Sequence, residues 1–285
     1  MYLKNRLGLI IPYRDRKEHL DIFIPIIKKH LKSQNIDYKI IVVEQCNKNP
    51  FNRSKLMNIG AKYIYDEIDY LCFHDVDLIP DTDVDYNIYS KDIIHLCGYL
   101  IENRDNIIKN NKYKYIDYIK RKLLGGVTLI RKEIWKKHQW NEIFEGWGEE
   151  DCEYWYRLEY YDYNIDSLDS KYISLSHKSN SKKLKNSFYL KIARFIFLEL
   201  KNIYINKLPL DNNLVKISDK YELIIKSEKN DYDLIKVNFE KIKYNNNIVI
   251  YSYLYYKFKL LKKILKILIG IYLLYLIYEN LIDLL

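Results

Sequence analysis

Residues able to do chemistry fall into five clusters along the chain. In the first, Phe73-His74-Asp75-Val76-Asp77, an apolar run delivers two carboxylates two positions apart. If Tyr70 to Phe73 is a strand, both acids land at its C-terminal edge, where open α/β sheets bind ligands. Carboxylates so placed can hold a hard divalent cation, which in turn neutralises a diphosphate. A plain acidic strand–turn boundary would give the same pattern. A second acidic pair, Asp83-Val84-Asp85, follows Pro80 in an acidic loop. The first pair is preferred because a hydrophobic strand leads into it.

The second cluster is Gly146-Trp147-Gly148-Glu149-Glu150-Asp151. Its glycines allow close backbone approach, its indole offers a flat apolar face, and carboxylates follow. Sugars suit such a site, stacking their C–H faces on the ring and bonding their hydroxyls to the acids. Near a helix start Asp151 would stay ionised and could serve as a general base; a solvated acidic first turn is the alternative. The third cluster, Pro12-Tyr13-Arg14-Asp15-Arg16, carries arginine forks suited to phosphates and to the edge of a uracil ring. The fourth, Phe51-Asn52-Arg53, pairs an aromatic ring with an arginine at a helix start. With Ser54 it also forms a glycosylation sequon, one that would be harmful inside a site in a secretory lumen. The fifth is His177, just after a strand; a lone histidine is more often structural, and only its company raises its interest.

These clusters need elements to position them. Leu7 to Ile11 reads as a buried strand, Arg16 to Leu31 as a helix kinked or broken at Pro25, and Tyr38 to Val43 as a second strand. Phe51 to Tyr65 reads as a helix and Tyr70 to Phe73 as a third strand. Ile93 to Leu100, Val127 to Ile130 and Tyr172 to Leu175 are further strands, with a helix over 149–161. Alternating strands and helices predict an α/β fold with a largely parallel sheet flanked by helices. A polar loop is expected at 178–187, a helix at 188–206 and a hairpin or strand pair within 221–239.

With 285 residues, 48% of them hydrophobic, the chain can bury a real core and is not disordered. Four cysteines (46, 72, 97, 152) without CxxC or Cys/His spacing exclude a disulfide scaffold and speak against a structural zinc site. Thirty tyrosines, and alanine only at Ala61 and Ala193, suggest an AT-rich genome, which makes the rare residues more informative. All four tryptophans lie between 135 and 155. No apolar stretch opens the sequence, so neither a signal peptide nor an N-terminal anchor is expected, and a reducing, cytoplasmic-side compartment is.

The net charge of +9 is uneven: residues 241–285 carry seven lysines against Glu279 and Asp283, leaving only +4 for the rest. No nucleic-acid partner is expected, because the body lacks a basic stripe with interleaved aromatics. The chain therefore divides into a domain over 1–240 and a basic, apolar helical tail over 241–285. The nearly apolar stretch Ile264 to Tyr278 is shorter than the ~20 residues that span a bilayer. Lysines between 257 and 266 precede and enter it, so residues 257–285 suit membrane-surface docking or a C-terminal tail anchor, or else packing on the core or on a second copy.

Taken in order, IIPYRDRKEHL (10–20), FNRSKLMNIG (51–60), FHDVDLIP (73–80), LLGGVTLIRKEIW (123–135) and GWGEEDCEYWYRL (146–158) resemble the β-1,4-galactosyltransferase family. FHDVDLIP most resembles its xylosylprotein branch. The resemblance covers about 1–180 clearly and extends toward 240. It implies a GT-A fold and inverting, metal-dependent transfer of a hexose from a UDP-sugar to a glycan or glycoconjugate hydroxyl. It also implies roles. Pro12, Tyr13, Arg14, Arg16, Phe51 and Arg53 would hold the uridine and diphosphate. Asp75 and Val76 would line the nucleotide site, and Asp77 and His177 would bind manganese or magnesium. Gly125, Gly126, Trp147 and Gly148 would border the sugars, Glu150 would contact donor or acceptor, and Asp151 would be the base.

Three positions depart from the family pattern. Cys152 stands where a second Asp, an acceptor contact, usually follows the base. The family's other protein metal ligand would fall at Ser174 or Leu175, neither a good ligand. Leu123 replaces a Tyr that crowds the donor sugar, which makes room for an N-acetyl group and admits UDP-GalNAc beside UDP-galactose. The first two departures also fit a catalytically inactive relative that binds nucleotide or glycan.

Overall fold

The first strand, β1 (Arg6–Tyr13), is buried along nearly its whole length because both of its faces are covered. It lies between β2 (Asp37–Gln45) and β3 (Tyr70–His74), parallel to each. Its alternate residues serve two cores, as a period of two requires. Leu7, Leu9 and Ile11 pack with Leu20, Phe23, Ile27 and Leu31 of α1 (Lys17–Ser33). Ile10 packs with Leu56, Met57 and Ile59 of α2 (Arg53–Ile64) on the opposite face. A computed structural model describes residues 5–89, 91–102, 114–142, 144, 150–175, 220–228 and 231–240. All belong to one unit, Met1–Lys182 with Leu210–Lys241. A second unit comprises Lys183–Pro209 and Ile242–Leu285. The helix expected over 188–206, the loop over 178–187 and the 241–285 tail lie outside the described residues. Among the described residues no helix is long and apolar enough to cross a membrane.

Later elements complete two sheets. They are β4 (Leu78–Pro80), β5 (Ile93–His95), β6 (Tyr99–Glu102), β7 (Lys114–Asp117), β8 (Val127–Arg131) and α3 (Lys132–Lys137). There follow α4 (Glu150–Tyr160), β9 (Ile165–Ser167), β10 (Lys171–Ser174), β11 (Glu222–Glu228) and β12 (Asp233–Asn238). The main sheet runs β11-β12-β2-β1-β3-β8-β5-β9, and the smaller one β4-β10-β6-β7. The main sheet is parallel from β12 to β3 and antiparallel where β8 joins β3 and β5.

Two expectations change. The first helix is not broken at Pro25: α1 runs through it, because Pro25 faces solvent and the carbonyl it leaves unpaired can take water, while five buried residues pin the opposite side. The expected strand over 93–100 is two strands in two sheets. Between them the Gly98 N–H bonds back to the Leu96 carbonyl at 2.9 Å and turns the chain. A Cβ on Gly98 would collide with the Leu168 carbonyl oxygen. The expected pair within 221–239 is an antiparallel hairpin whose second strand adds to β2 in parallel.

Candidate active site

The site forms where the C-terminal ends of β1 and β3 meet the first turns of α2 and α4. Beyond β3 the chain makes a tight turn, the Leu78 N–H returning to the Asp75 carbonyl at 3.3 Å. Three more backbone or ring contacts hold this turn. Asp75 N–H donates to the Gly126 carbonyl (2.9 Å), Leu175 N–H donates to the Asp77 carbonyl (2.8 Å), and the His74 ring lies 2.9 Å from the Asp75 carbonyl. Val76 is buried beneath it. Burial pushes the His74 pKa down to about 4, so its ring is neutral.

Arg53 gathers the carboxylates. It opens α2, whose start is capped by the Asn52 side chain accepting from Lys55 N–H at 2.9 Å. Its Nε donates to Asp75 Oδ1 at 2.8 Å, and its guanidinium also reaches to 3.9 Å from Glu150 Oε1. Burial works against the Arg53 charge, but Asp75, Glu150 and Asp151 outweigh it and hold its pKa above the ordinary value. Both terminal nitrogens are buried without a hydrogen-bond partner, donors left for ligand oxygens. The guanidinium stacks on Trp140, 5.5 Å from the ring centroid.

On the β1 side, Asp15 takes a left-handed conformation (φ 51°), which aspartate tolerates, in the bend between two arginines. Arg16 pairs with Asp77 Oδ2 at 2.8 Å. Arg14 donates to the Asn49 carbonyl at 2.7 Å and lies over Phe51 at 5.2 Å. Pro12 and Tyr13 finish the strand, both buried.

Across the cleft, Glu150 and Asp151 occupy the first turn of α4, where the helix dipole favours negative charge. Asp151 Oδ1 accepts the Cys152 N–H at 2.7 Å, and its carbonyl accepts the Leu124 N–H at 3.1 Å. A Cβ on Gly125 would lie 2.8 Å from Asp151 Oδ2 and 3.3 Å from Leu123 Cδ1. Gly126 has φ +76°, a conformation that other residues rarely adopt. This loop therefore touches Asp151 through Gly125 and Asp75 through Gly126, so the two carboxylate clusters share one cleft. Burial raises the Glu150 pKa, with Arg53 opposing and Asp151 reinforcing.

Trp147, Gly148 and His177 lie outside the described residues. Asp83 and Asp85 are exposed, with only Val84 buried between them. All four cysteines are free. The sequon at Asn52 is unusable in the folded chain. Its side chain is buried, capping α2 and donating to the Glu142 carbonyl at 2.8 Å.

Sequence reasoning missed His74, His95, Trp140 and Glu142. His74 stood inside the quoted FHDVD motif, and its position before two acids was a usable signal. His95 supports the glycine loop, its Nε2–H donating to the Gly125 carbonyl at 2.9 Å while Nδ1 is buried without a partner. Burial pushes its pKa down to about 4, the Gly125 bond and Asp151 opposing. The unfolded value is about 6.5, so the His95 contribution to stability is full above that pH and is lost as pH falls toward 4. The loss is on the order of 3 kcal/mol. Denaturant melts from pH 7 to 4 should show an acid limb that His95→Gln flattens; an unchanged limb would contradict this.

The donor set fits a hard divalent cation: Asp75 and Asp77 offer carboxylate oxygens on one turn. Among the described residues, no three His, Cys, Asp or Glu side chains converge as a metal cage.

The cleft thus lies at the C-terminal edge of the parallel part of the main sheet, an architecture of the GT-A type. Two family profiles match the chain: the N-terminal region of glycosyl transferase group 7 over residues 2–92, and the N-terminal domain of galactosyltransferase over 106–178. Together they take in more than half of it, and the chain belongs to the β-1,4-galactosyltransferase family of group 7. Mouse β-1,4-galactosyltransferase 6 is 34% identical over 178 residues, 60% of this chain and 44% of the relative. Drosophila melanogaster β-1,4-galactosyltransferase 7 is 28% identical over 227 residues, 78% of this chain and 66% of the relative. The chain thus spans about half to two thirds of the length of these relatives.

The crystal structure of the catalytic domain of the Drosophila enzyme with xylobiose shares the fold. Its TM-score is 0.61 at 23% identity, covering 83% of this chain and 94% of that one. A mutant of that enzyme was solved with manganese, UDP-Gal and xylobiose, also at a TM-score of 0.61.

Proposed function

We propose that the chain is a metal-dependent, inverting glycosyltransferase that moves a hexose from a UDP-sugar to a glycan or glycoconjugate hydroxyl. One observation carries this reading: Arg53 and the Gly125–Gly126 loop bind the Asp75–Asp77 turn and the Glu150–Asp151 pair into one cleft. The solved relative with manganese, UDP-Gal and xylobiose has the same fold.

In this mechanism Arg14 and Phe51 clamp the uridine, and the terminal nitrogens of Arg53, which have no hydrogen-bond partner, meet the diphosphate with Arg16. Asp77, with Asp75 and His177, would hold manganese or magnesium, which when bound neutralises the diphosphate and eases the departure of UDP. Asp151 takes the proton of the acceptor hydroxyl. That oxygen bonds to C1 of the sugar from the face opposite UDP as the C1–O bond to the diphosphate breaks, so the anomeric configuration inverts. Glu150 contacts a hydroxyl of donor or acceptor. A screen of UDP-sugars and acceptors with Mn2+, reading released UDP, should show metal-dependent turnover. No turnover with any pair would overturn the enzymatic reading in favour of a nucleotide- or glycan-binding relative.

Leu123 sets the donor. Its Cδ1 would lie 3.3 Å from a Cβ on Gly125, and it is smaller than the family's tyrosine, which leaves room for an N-acetyl group. UDP-GalNAc should therefore be used along with UDP-galactose. Leu123→Tyr should lower kcat/KM for UDP-GalNAc relative to UDP-galactose by about tenfold or more. Identical donor preference in both proteins would refute the assignment.

A further inference from the structure

We propose that Tyr172, Tyr86 and His74 form a directed hydrogen-bond relay that sets the position of the Asp75–Asp77 turn, making His74 and Tyr86 positioning residues for the cation; the proposal rests on the metal-dependent reading above. The directions follow from the partners. His74 Nδ1 lies 2.9 Å from the Asp75 carbonyl, which can only accept, so Nδ1 carries the ring hydrogen. Nε2 then accepts from the Tyr86 hydroxyl at 2.9 Å, whose oxygen is already engaged by the Tyr172 hydroxyl. The Tyr86 oxygen in turn accepts from the Tyr172 hydroxyl at 3.0 Å. Every proton in the chain has one place.

Each member is tied to the frame. Tyr86 N–H donates to Gln34 Oε1 at 2.9 Å, and its carbonyl accepts from the Tyr70 hydroxyl at 3.1 Å. The His74 ring stacks on Tyr86 at 15° and meets Phe23 at a centroid distance of 4.7 Å. Tyr172 sits on β10, which pairs Ser174 with Leu78 and whose neighbour Leu175 holds the Asp77 carbonyl. The turn is thus gripped at Asp75 through His74 and at Asp77 through β10, and the two grips share Tyr172. All three side chains are fully buried, so a missing partner leaves a polar atom with no water to replace it.

Removing one hydroxyl should loosen the carboxylates without removing them, as with other residues that orient metal ligands. Tyr86→Phe keeps the ring and strands Nε2. It should raise the Mn2+ concentration giving half-maximal UDP release by about tenfold or more, with kcat at saturating Mn2+ nearly unchanged. Mn2+ titrated into protein with UDP, followed by the EPR signal of free Mn2+, should show the same weakening. His74→Asn, whose amide can still donate to the Asp75 carbonyl, should shift the requirement less than His74→Leu. A Tyr86→Phe protein that is less stable, or has a lower kcat, at an unchanged Mn2+ requirement would overturn the relay alone. A wild-type protein that neither binds Mn2+ with UDP nor releases UDP from any donor would overturn the functional reading and this one with it.

Discussion

Asp151→Asn is expected to cut kcat by about a thousandfold, close to 4 kcal/mol of transition-state stabilisation. The substitution is isosteric. Its amide oxygen can still accept the Cys152 N–H that Asp151 Oδ1 now takes at 2.7 Å, and the close approach to Gly125 is kept. The backbone bond from Leu124 N–H to the carbonyl of residue 151 is untouched. Under the proposed mechanism, what disappears is the ability to take a proton from the acceptor hydroxyl. UDP affinity in the presence of Mn2+ should change little, because in the proposed mechanism Arg14 and Arg16, which contact Asn49, Phe51 and Asp77, hold the nucleotide. Initial rates with a saturating donor, together with calorimetric UDP binding, separate the two quantities. A rate equal to wild type would move the base elsewhere, with Glu150 the first alternative.

The second large effect concerns stability. Lys55 and Glu142 form an ion pair at 3.2 Å with both side chains almost wholly buried. Asn58 donates to Glu142 Oε1 at 3.0 Å and to the Trp140 carbonyl at 2.8 Å, and it accepts the Trp140 N–H at 3.0 Å. This network locks the 140–142 segment to α2, and so places Trp140 under Arg53. Glu142→Leu should cost about 3–5 kcal/mol by taking from the buried Lys55 ammonium the carboxylate it pairs with. The double variant Lys55→Met with Glu142→Leu should recover most of that loss, since the cost lies in burying a charge without its carboxylate rather than in losing the pair. Urea melts of the wild type, the two single variants and the double variant measure it. A double variant as unstable as Glu142→Leu alone would show that the pair itself, not the stripped charge, carries the stability.

Much of the fold could be read in advance, and for a definite reason. The β1, β2 and β3 strands and the two helices between them carry a strong local signal: continuous apolar runs for strands covered on both faces, and helical spacing for α1 and α2. The hairpin within 221–239 was legible, but its place beside β2 was not, because parallel pairing with a strand nearly two hundred residues earlier leaves no local trace. The 93–100 segment misled because its apolar run is continuous, whereas Gly98 turns it from one sheet to the other. Pro25 misled because its local rule ignores which side of the helix meets water.

The types and order of the site residues were set by the sequence itself: two acids after β3, arginines after β1 and at the α2 start, a glycine pair, and acids opening α4. Their spacing along the chain was enough because each cluster sits at the end of an element with a strong hydrophobic pattern. Only the tertiary structure decided that Arg53 joins Asp75 to Glu150, that Gly125 abuts Asp151, and that His74 is held by tyrosines from two other segments. Such contacts depend on side-chain direction and burial across distant strands. Hydrogen bonds of about 3 Å are made or lost by small shifts that leave no mark on the pattern of residues.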